Sequence, residues 1–171
     1  MKKIFFFFCI IMCMSVNAQK LVEFKLQQDG TFKTEDGSPY AVIEFPGKTA
    51  EELYNMVKSN AMSYYKNPKE VLSENENSII TIRAIKEAVS SIKVLMIRYA
   101  YSAHYNLTFR FKDGKIRCDA PNIDDYLIGS APQLPPESFR SVTNRLFNKN
   151  GEVKDKNVAK KQYHYCPVKV D

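Results

Sequence analysis

Apolar and polar residues alternate from Tyr105 to Ala120 almost without a break. Tyr105, Leu107, Phe109 and Phe111 are interleaved with Asn106, Thr108, Arg110 and Lys112. Past Asp113-Gly114, Ile116, Cys118 and Ala120 are interleaved with Lys115, Arg117 and Asp119. A period of two is what a strand with one buried face requires, and an Asp-Gly pair between two such runs signals a tight hairpin. The polar face of this hairpin carries Arg110, Lys112, Lys115 and Arg117, so the sheet is expected to be half solvated.

The same reading places other elements. Gln19 to Lys33 fits two short strands around a turn at Asp29-Gly30, with Leu21, Phe24, Leu26 and Phe32 as apolar members. A turn-rich connector holding Asp36-Gly37 leads to a strand at Tyr40–Phe45, ended by Pro46-Gly47. Thr49-Ala50-Glu51-Glu52 is a capping box, in which the threonine hydroxyl and the third-position glutamate satisfy each other's backbone N–H. Leu53, Met56, Val57, Ala61 and Tyr64 then form one helical stripe, stopped at Asn67-Pro68. Glu70–Ser73 and Ile79–Ile85 read as a hairpin around Glu74-Asn75-Glu76-Asn77.

Periodicity does not settle the next stretch. Ile82, Ile85, Val89, Ile92, Met96, Tyr99 and Ala103 are spaced like a helical seam. Its wealth of Ile, Val and Tyr favours strands, with Ser90-Ser91 as a possible turn. Further on, Ala131 to Pro136 is a proline-rich linker. Glu137 to Phe147 fits a short helix with Phe139, Val142 and Leu146 on one side. Asn148 to Gln162 holds five lysines and no aromatic residue, which marks an exposed segment. Tyr163 to Val170 has strand character interrupted by Pro167.

The start of the chain changes the totals. Met1-Lys2-Lys3, an apolar run of 11 residues from Ile4 to Met14, and Ser15-Val16-Asn17-Ala18 follow the order of a secretory signal peptide. The run is shorter than the roughly 20 residues a spanning helix needs. Cleavage after Ala18 would leave 153 of the 171 residues. It would remove Lys2 and Lys3 from 25 basic residues set against 19 acidic ones, lowering the charge from +6 to +4. The rival is a lipid anchor on Cys13, against which stands the bulky Met12 where a small residue belongs. The expectation is a periplasmic or secreted protein with no transmembrane segment after signal cleavage. Its size suits one domain and excludes collagen, disorder, a multi-domain enzyme and a polytopic membrane protein.

Chemistry-bearing residues are sparse. Cys118 and Cys166, the two cysteines past the leader, could close one disulfide in an oxidising compartment. Cys118 equally fits a small buried hydrophobe, since it alternates with Ile116 and Ala120. His104 and His164 lie in no metal-binding spacing. Gly129-Ser130-Ala131 is no nucleophile elbow, and Asp119, Asp124 and Asp125 read as solvated charges at strand ends and loops. Nucleic acid is not expected as a partner, because +4 is modest and export removes the chain from it. The basic hairpin face fits attraction to anionic envelope components instead.

Three motifs in order carry a resemblance: Val42-Ile43-Glu44-Phe45-Pro46-Gly47-Lys48, Thr49-Ala50-Glu51-Glu52-Leu53-Tyr54, and Tyr105 to Arg117. Together they resemble the exported bacterial proteins grouped as domain of unknown function 4468, described as having a TBP-like fold. The resemblance covers roughly Tyr40 to Asp124. It implies an α+β fold: a curved antiparallel sheet packed by one long and one short helix, with the ambiguous stretch resolved as strands. It implies no activity, cofactor or metal.

The expected organisation is a signal peptide (1–18), an N-terminal hairpin and connector (19–39), the TBP-like α+β domain (40–147) and a lysine-rich tail (148–171). The expected role is non-catalytic: a binding module for an envelope protein, glycan or lipid, with Arg110, Lys112, Lys115 and Arg117 as the candidate surface. The alternatives are an enzyme acting on envelope polymers through unidentified carboxylates, and a small-ligand or lipid-binding protein.

Overall fold

The computed structural model describes residues 22–94, 96–132, 134–152 and 154. The expected leader, His164, Cys166 and most of the lysine-rich tail lie outside them. Strands β1 (Lys25–Leu26) and β2 (Phe32–Lys33) pair antiparallel across a turn at Gly30, whose φ of +86° suits glycine alone. Strand β3 (Tyr40–Glu44) leads into helix α1 (Ala50–Tyr64). The capping box forms as the sequence indicates: Glu52 N–H donates to the Thr49 hydroxyl at 3.2 Å, and Thr49 N–H donates to the Glu52 carboxylate at 2.9 Å.

Helix α1 buries Leu53, Tyr54, Val57 and Ala61, with Met56 half-buried. Tyr64, expected on this stripe, is instead 65% exposed. The chain leaves the helix at Tyr65, in extended conformation, and it is this ring that turns inward, its hydroxyl 3.0 Å from that of Tyr105. Burial is the main cause that holds the Tyr65 phenol above its ordinary range. Helix α2 (Pro68–Val71) follows at once. Glu70 and Val71 were expected to be extended, but Pro68 at the first helical position presets the helical φ. The strand therefore starts later, as β4 (Leu72–Asn75).

The described part of the ambiguous stretch is strand on either side of a turn at Met96. Strands β5 (Ile79–Val94) and β6 (Ile97–Lys112) pair antiparallel along their length. Ser90-Ser91 is no turn. Between the pairs Lys86↔Ala103 and Ser90↔Tyr101, three residues of β5 face Ser102 alone, and the bulge places Ala88 at φ +54°. After β7 (Lys115–Asp119) come β8 (Asn122–Ile123), β9 (Tyr126–Gly129), β10 (Glu137–Ser138) and helix α3 (Phe139–Leu146). The curved sheet runs β10-β9-β6-β5-β4, with β7 joining β6 to β3 and β8 pairing with β6.

One face of this sheet makes the core. Ile80, Ile82, Tyr105, Leu107, Phe109, Phe111, Ile116 and Cys118 pack with Leu53, Tyr54, Val57 and Ala61 of α1. Phe24 (1% exposed) and Phe32 from the first hairpin join the same cluster. A second cluster sets Tyr101, Ala103 and Leu127 against Val142 of α3. Helices α1 and α3 thus lie on one side, and among the described residues the core clusters leave the other side of the sheet uncovered.

Polar contacts pin the helices. Tyr54 donates its hydroxyl to Glu74 on the edge strand, and Lys58 reaches the same carboxylate at 2.9 Å. The Tyr54 ring meets Phe111 edge-on at 5.6 Å. Near α3, Glu137 accepts a forked pair of bonds from Arg145 and one from the Ser141 hydroxyl at 3.2 Å. Ser138 caps α3 by accepting from the Ser141 N–H.

Candidate functional site

The solvent face of the sheet is built by the same alternation that builds the core. Phe109 and Phe111 are buried while Arg110 and Lys112 are exposed; Ile116 and Cys118 are buried while Lys115 and Arg117 are exposed. The register then sets like charges opposite one another. Lys112 pairs with Lys115, and Arg110 pairs with Arg117, in consecutive facing positions of β6 and β7. Like charges directly opposite on one face destabilise a ladder.

Asp119 relieves one of the two pairs. Its carboxylate accepts from Arg110 Nε at 3.0 Å and from Arg117 Nε at 2.7 Å. The Arg117 guanidinium also lies 4.0 Å from the centre of the Tyr40 ring on β3, a cation–π contact that fixes its plane. Lys112 and Lys115 have no ion-pair partner among the described residues. Glu44 is the register neighbour of Lys115 without reaching it as a salt bridge.

Further along the face the groups become neutral. The Thr81 and Thr108 hydroxyls are 3.1 Å apart, and Arg83 donates to Asn106 at 3.0 Å. Beyond them His104 stands opposite Ile85, which is 55% exposed. Among the described residues, no three His, Cys, Asp or Glu side chains gather as a metal site. A carboxylate held by two guanidiniums, as Asp119 is, serves to orient them.

All four candidate residues, Arg110, Lys112, Lys115 and Arg117, therefore share one surface. Asp119, read from the sequence as a solvated charge, and Tyr40, not singled out there, belong with them. The signal for Asp119 was present, since it follows Lys115 and Arg117 at the same period of two. Tyr40 could not be found that way, because its neighbour Arg117 lies 77 positions further along the chain. Cys118 is buried, its thiol 3.7 Å from the Asp119 carbonyl, and its expected bridge partner Cys166 lies outside the described residues.

Residues 40–125 match the family described as domain of unknown function (DUF4468) with TBP-like fold. The chain belongs to this family. The matched span holds β3, α1 and the strands that carry the basic face, so the site lies within the DUF4468 unit itself. Among solved structures the chain is similar to the crystal structure of a DUF4468 family protein from Bacteroides ovatus. They share 14% identity over 72% of this chain and 73% of that one, with a TM-score of 0.48. No curated protein matches the chain. No helix among the described residues is long and apolar enough to cross a membrane.

Proposed function

We propose that this DUF4468 protein is an exported, non-catalytic binding module of the periplasm or cell envelope. Its uncovered sheet face takes an anionic component of the envelope. One observation carries the reading: two consecutive like-charge pairs, Lys112–Lys115 and Arg110–Arg117, share a face where, among the described residues, a single carboxylate pairs with them. Each facing like-charge pair disfavours the fold by up to about 1 kcal/mol, a cost that an anionic partner would reverse. The signal-peptide pattern at residues 1–18 supports the location.

The test is capture from native envelopes at low salt, comparing the wild type with the variant carrying Lys112→Glu and Lys115→Glu. Retention of anionic material that falls with added salt, and is lost in the variant, is expected. Equal retention by both proteins would overturn the basic hairpin as the site. The exact mass of the protein from its native host tests export: a mass that begins at Gln19 is expected, and an intact leader would overturn it.

A further inference from the structure

Strand β3 borders the sheet: it pairs with β7, and among the described residues no strand pairs with its other side. The phase of the ladder shows which groups face out. Phe45 N–H donates to the Gly114 carbonyl at 2.7 Å, and Ala120 N–H donates to the Pro39 carbonyl at 2.8 Å. Pro39 and Phe45 therefore turn toward β7, as do Ala41 and Ile43 between them. The backbone groups of Tyr40, Val42 and Glu44 point the other way. Tyr40 N–H is met by the Ser38 hydroxyl at 3.3 Å. Those of Val42 and Glu44 find no partner among the described residues. The open stretch has closed ends, since Thr34 engages Ser38 and Pro46 has no N–H to offer.

Other edges of the sheet carry devices that discourage strand addition. Strand β4 has Glu74, held by Lys58. The open flank of β5 past Ile82 has the bulge and the exposed Arg83, Lys86 and Glu87. Strand β10 is only 2 residues long. Strand β3 has 5 residues, of which Glu44 alone is charged, with Tyr40 38% and Val42 46% exposed.

That single charge also indicates what fits. A second copy of β3, laid antiparallel across a two-fold axis at Val42, engages every outward group of the strand. Val42 exchanges N–H and C=O with Val42 of the second copy, and Tyr40 faces Glu44 at either end. Glu44 takes part in no ion pair among the described residues. The pairing sets it opposite the Tyr40 ring of the second copy, the ring on which the Arg117 guanidinium lies at 4.0 Å. An acid is thus brought to a cation at both ends. The two Arg117 themselves stand three strand spacings apart, about 14 Å, beyond the screening length of about 8 Å.

We propose that β3 is a self-association edge: two copies join antiparallel through Tyr40–Glu44, centred on Val42, into one continuous sheet. An axis normal to the sheet keeps both solvent faces on the same side, so the two basic faces become one longer surface. The proposal goes beyond the basic-face reading and does not depend on what that face binds.

Sedimentation velocity across a concentration series tests it, with amide hydrogen exchange as the second readout. Wild type, Val42→Lys, Val42→Pro, and Lys112→Glu with Lys115→Glu are compared at the same N-terminus, each checked for a cooperative urea transition. Proline at position 42 leaves the β3–β7 ladder whole, because the Val42 N–H points away from it. Wild type should dimerise, and its Val42 and Glu44 amides should be protected at high concentration and exchange freely on dilution. Val42→Lys sets two lysines face to face, and Val42→Pro removes a hydrogen bond from each side; each should weaken the dimer about tenfold or more. The Lys112/Lys115 variant should dimerise as wild type, which separates this proposal from the anionic-partner reading. A wild type that stays monomeric throughout the series overturns the proposal. A dimer that both Val42 variants leave intact overturns it too, since that dimer would use another surface. Val42 and Glu44 amides protected in a monomer, whatever the dilution, would likewise overturn it and assign the edge to a segment of the same chain.

Discussion

Asp113, in the turn between β6 and β7, accepts the backbone N–H of Ala50 at the first turn of α1, at 2.8 Å. The same turn receives Phe45 N–H on the Gly114 carbonyl at 2.7 Å and gives its own Gly114 N–H to Lys48 at 2.8 Å. One hairpin turn thus supplies an acceptor that the helix cannot provide for itself. Asp113→Ala should lower stability by about 1 kcal/mol, read as a shift of the urea midpoint at constant slope. Asp113→Asn should keep most of it. If alanine and asparagine behave alike, the hydrogen bond contributes nothing measurable.

Acid should weaken the fold through two carboxylates. The forked bond from Arg145 holds the Glu137 carboxyl below the usual range, and the Tyr54 hydroxyl, then Lys58, does the same for Glu74. A carboxyl whose folded pKa is depressed adds stability above its unfolded value, near 4.5, and loses it as pH falls through the folded value. Urea midpoints should therefore fall between about pH 5 and pH 3. Glu137→Gln combined with Glu74→Gln should flatten that fall while lowering stability at neutral pH. A variant with the wild-type slope would place the acid sensitivity elsewhere.

Gly129 has an ordinary backbone conformation but no room. A Cβ there would stand 2.6 Å from Leu134 Cβ, an atom close to the backbone that cannot swing aside. Gly129→Ala should cost about 1–3 kcal/mol by overpacking. Adding Leu134→Gly should recover part of that loss, and thermal unfolding of the four proteins of the cycle checks it. Additive losses would show that the contact is not the cause.

Phe24 lies outside the matched span of residues 40–125, yet it is 1% exposed within the main core. Phe24→Ala should cost about 3–5 kcal/mol, as large as a loss inside the matched span. A loss under about 1 kcal/mol, the ordinary size at a surface position, would mean that the first hairpin docks without supporting the fold.

Legibility in the sequence followed the range of each interaction. The hairpin around Asp113-Gly114 and the capping box at Thr49 are local, and spacing alone described both. Two strand-rich segments with three-and-four spacing, around Ile82 to Ala103, defeated periodicity because apolar residues stand on both faces there, Ile82 buried and Ile85 55% exposed; the resemblance, not the spacing, resolved them. Tyr65, not Tyr64, packing against the core turned on where the helix ends, a one-residue matter set by Tyr105 forty positions away. Four cationic members of the candidate face were readable from alternation. Its aromatic neighbour Tyr40 was not, since only the β3–β7 pairing brings it there.

The bulge in β5 has an evolutionary corollary. From Lys86 to Ser90 that strand advances four residues while its partner advances two, from Ala103 to Tyr101. An excess of two preserves parity, so Ser90 beyond the bulge is buried as Ile80 and Ile82 are before it. Losing a single residue there would turn Ser90 outward and Ser91 inward. Length changes in relatives at this place should come in pairs, which makes the spacing between Ile85 and Ile92 a count that mutation can alter only in even steps.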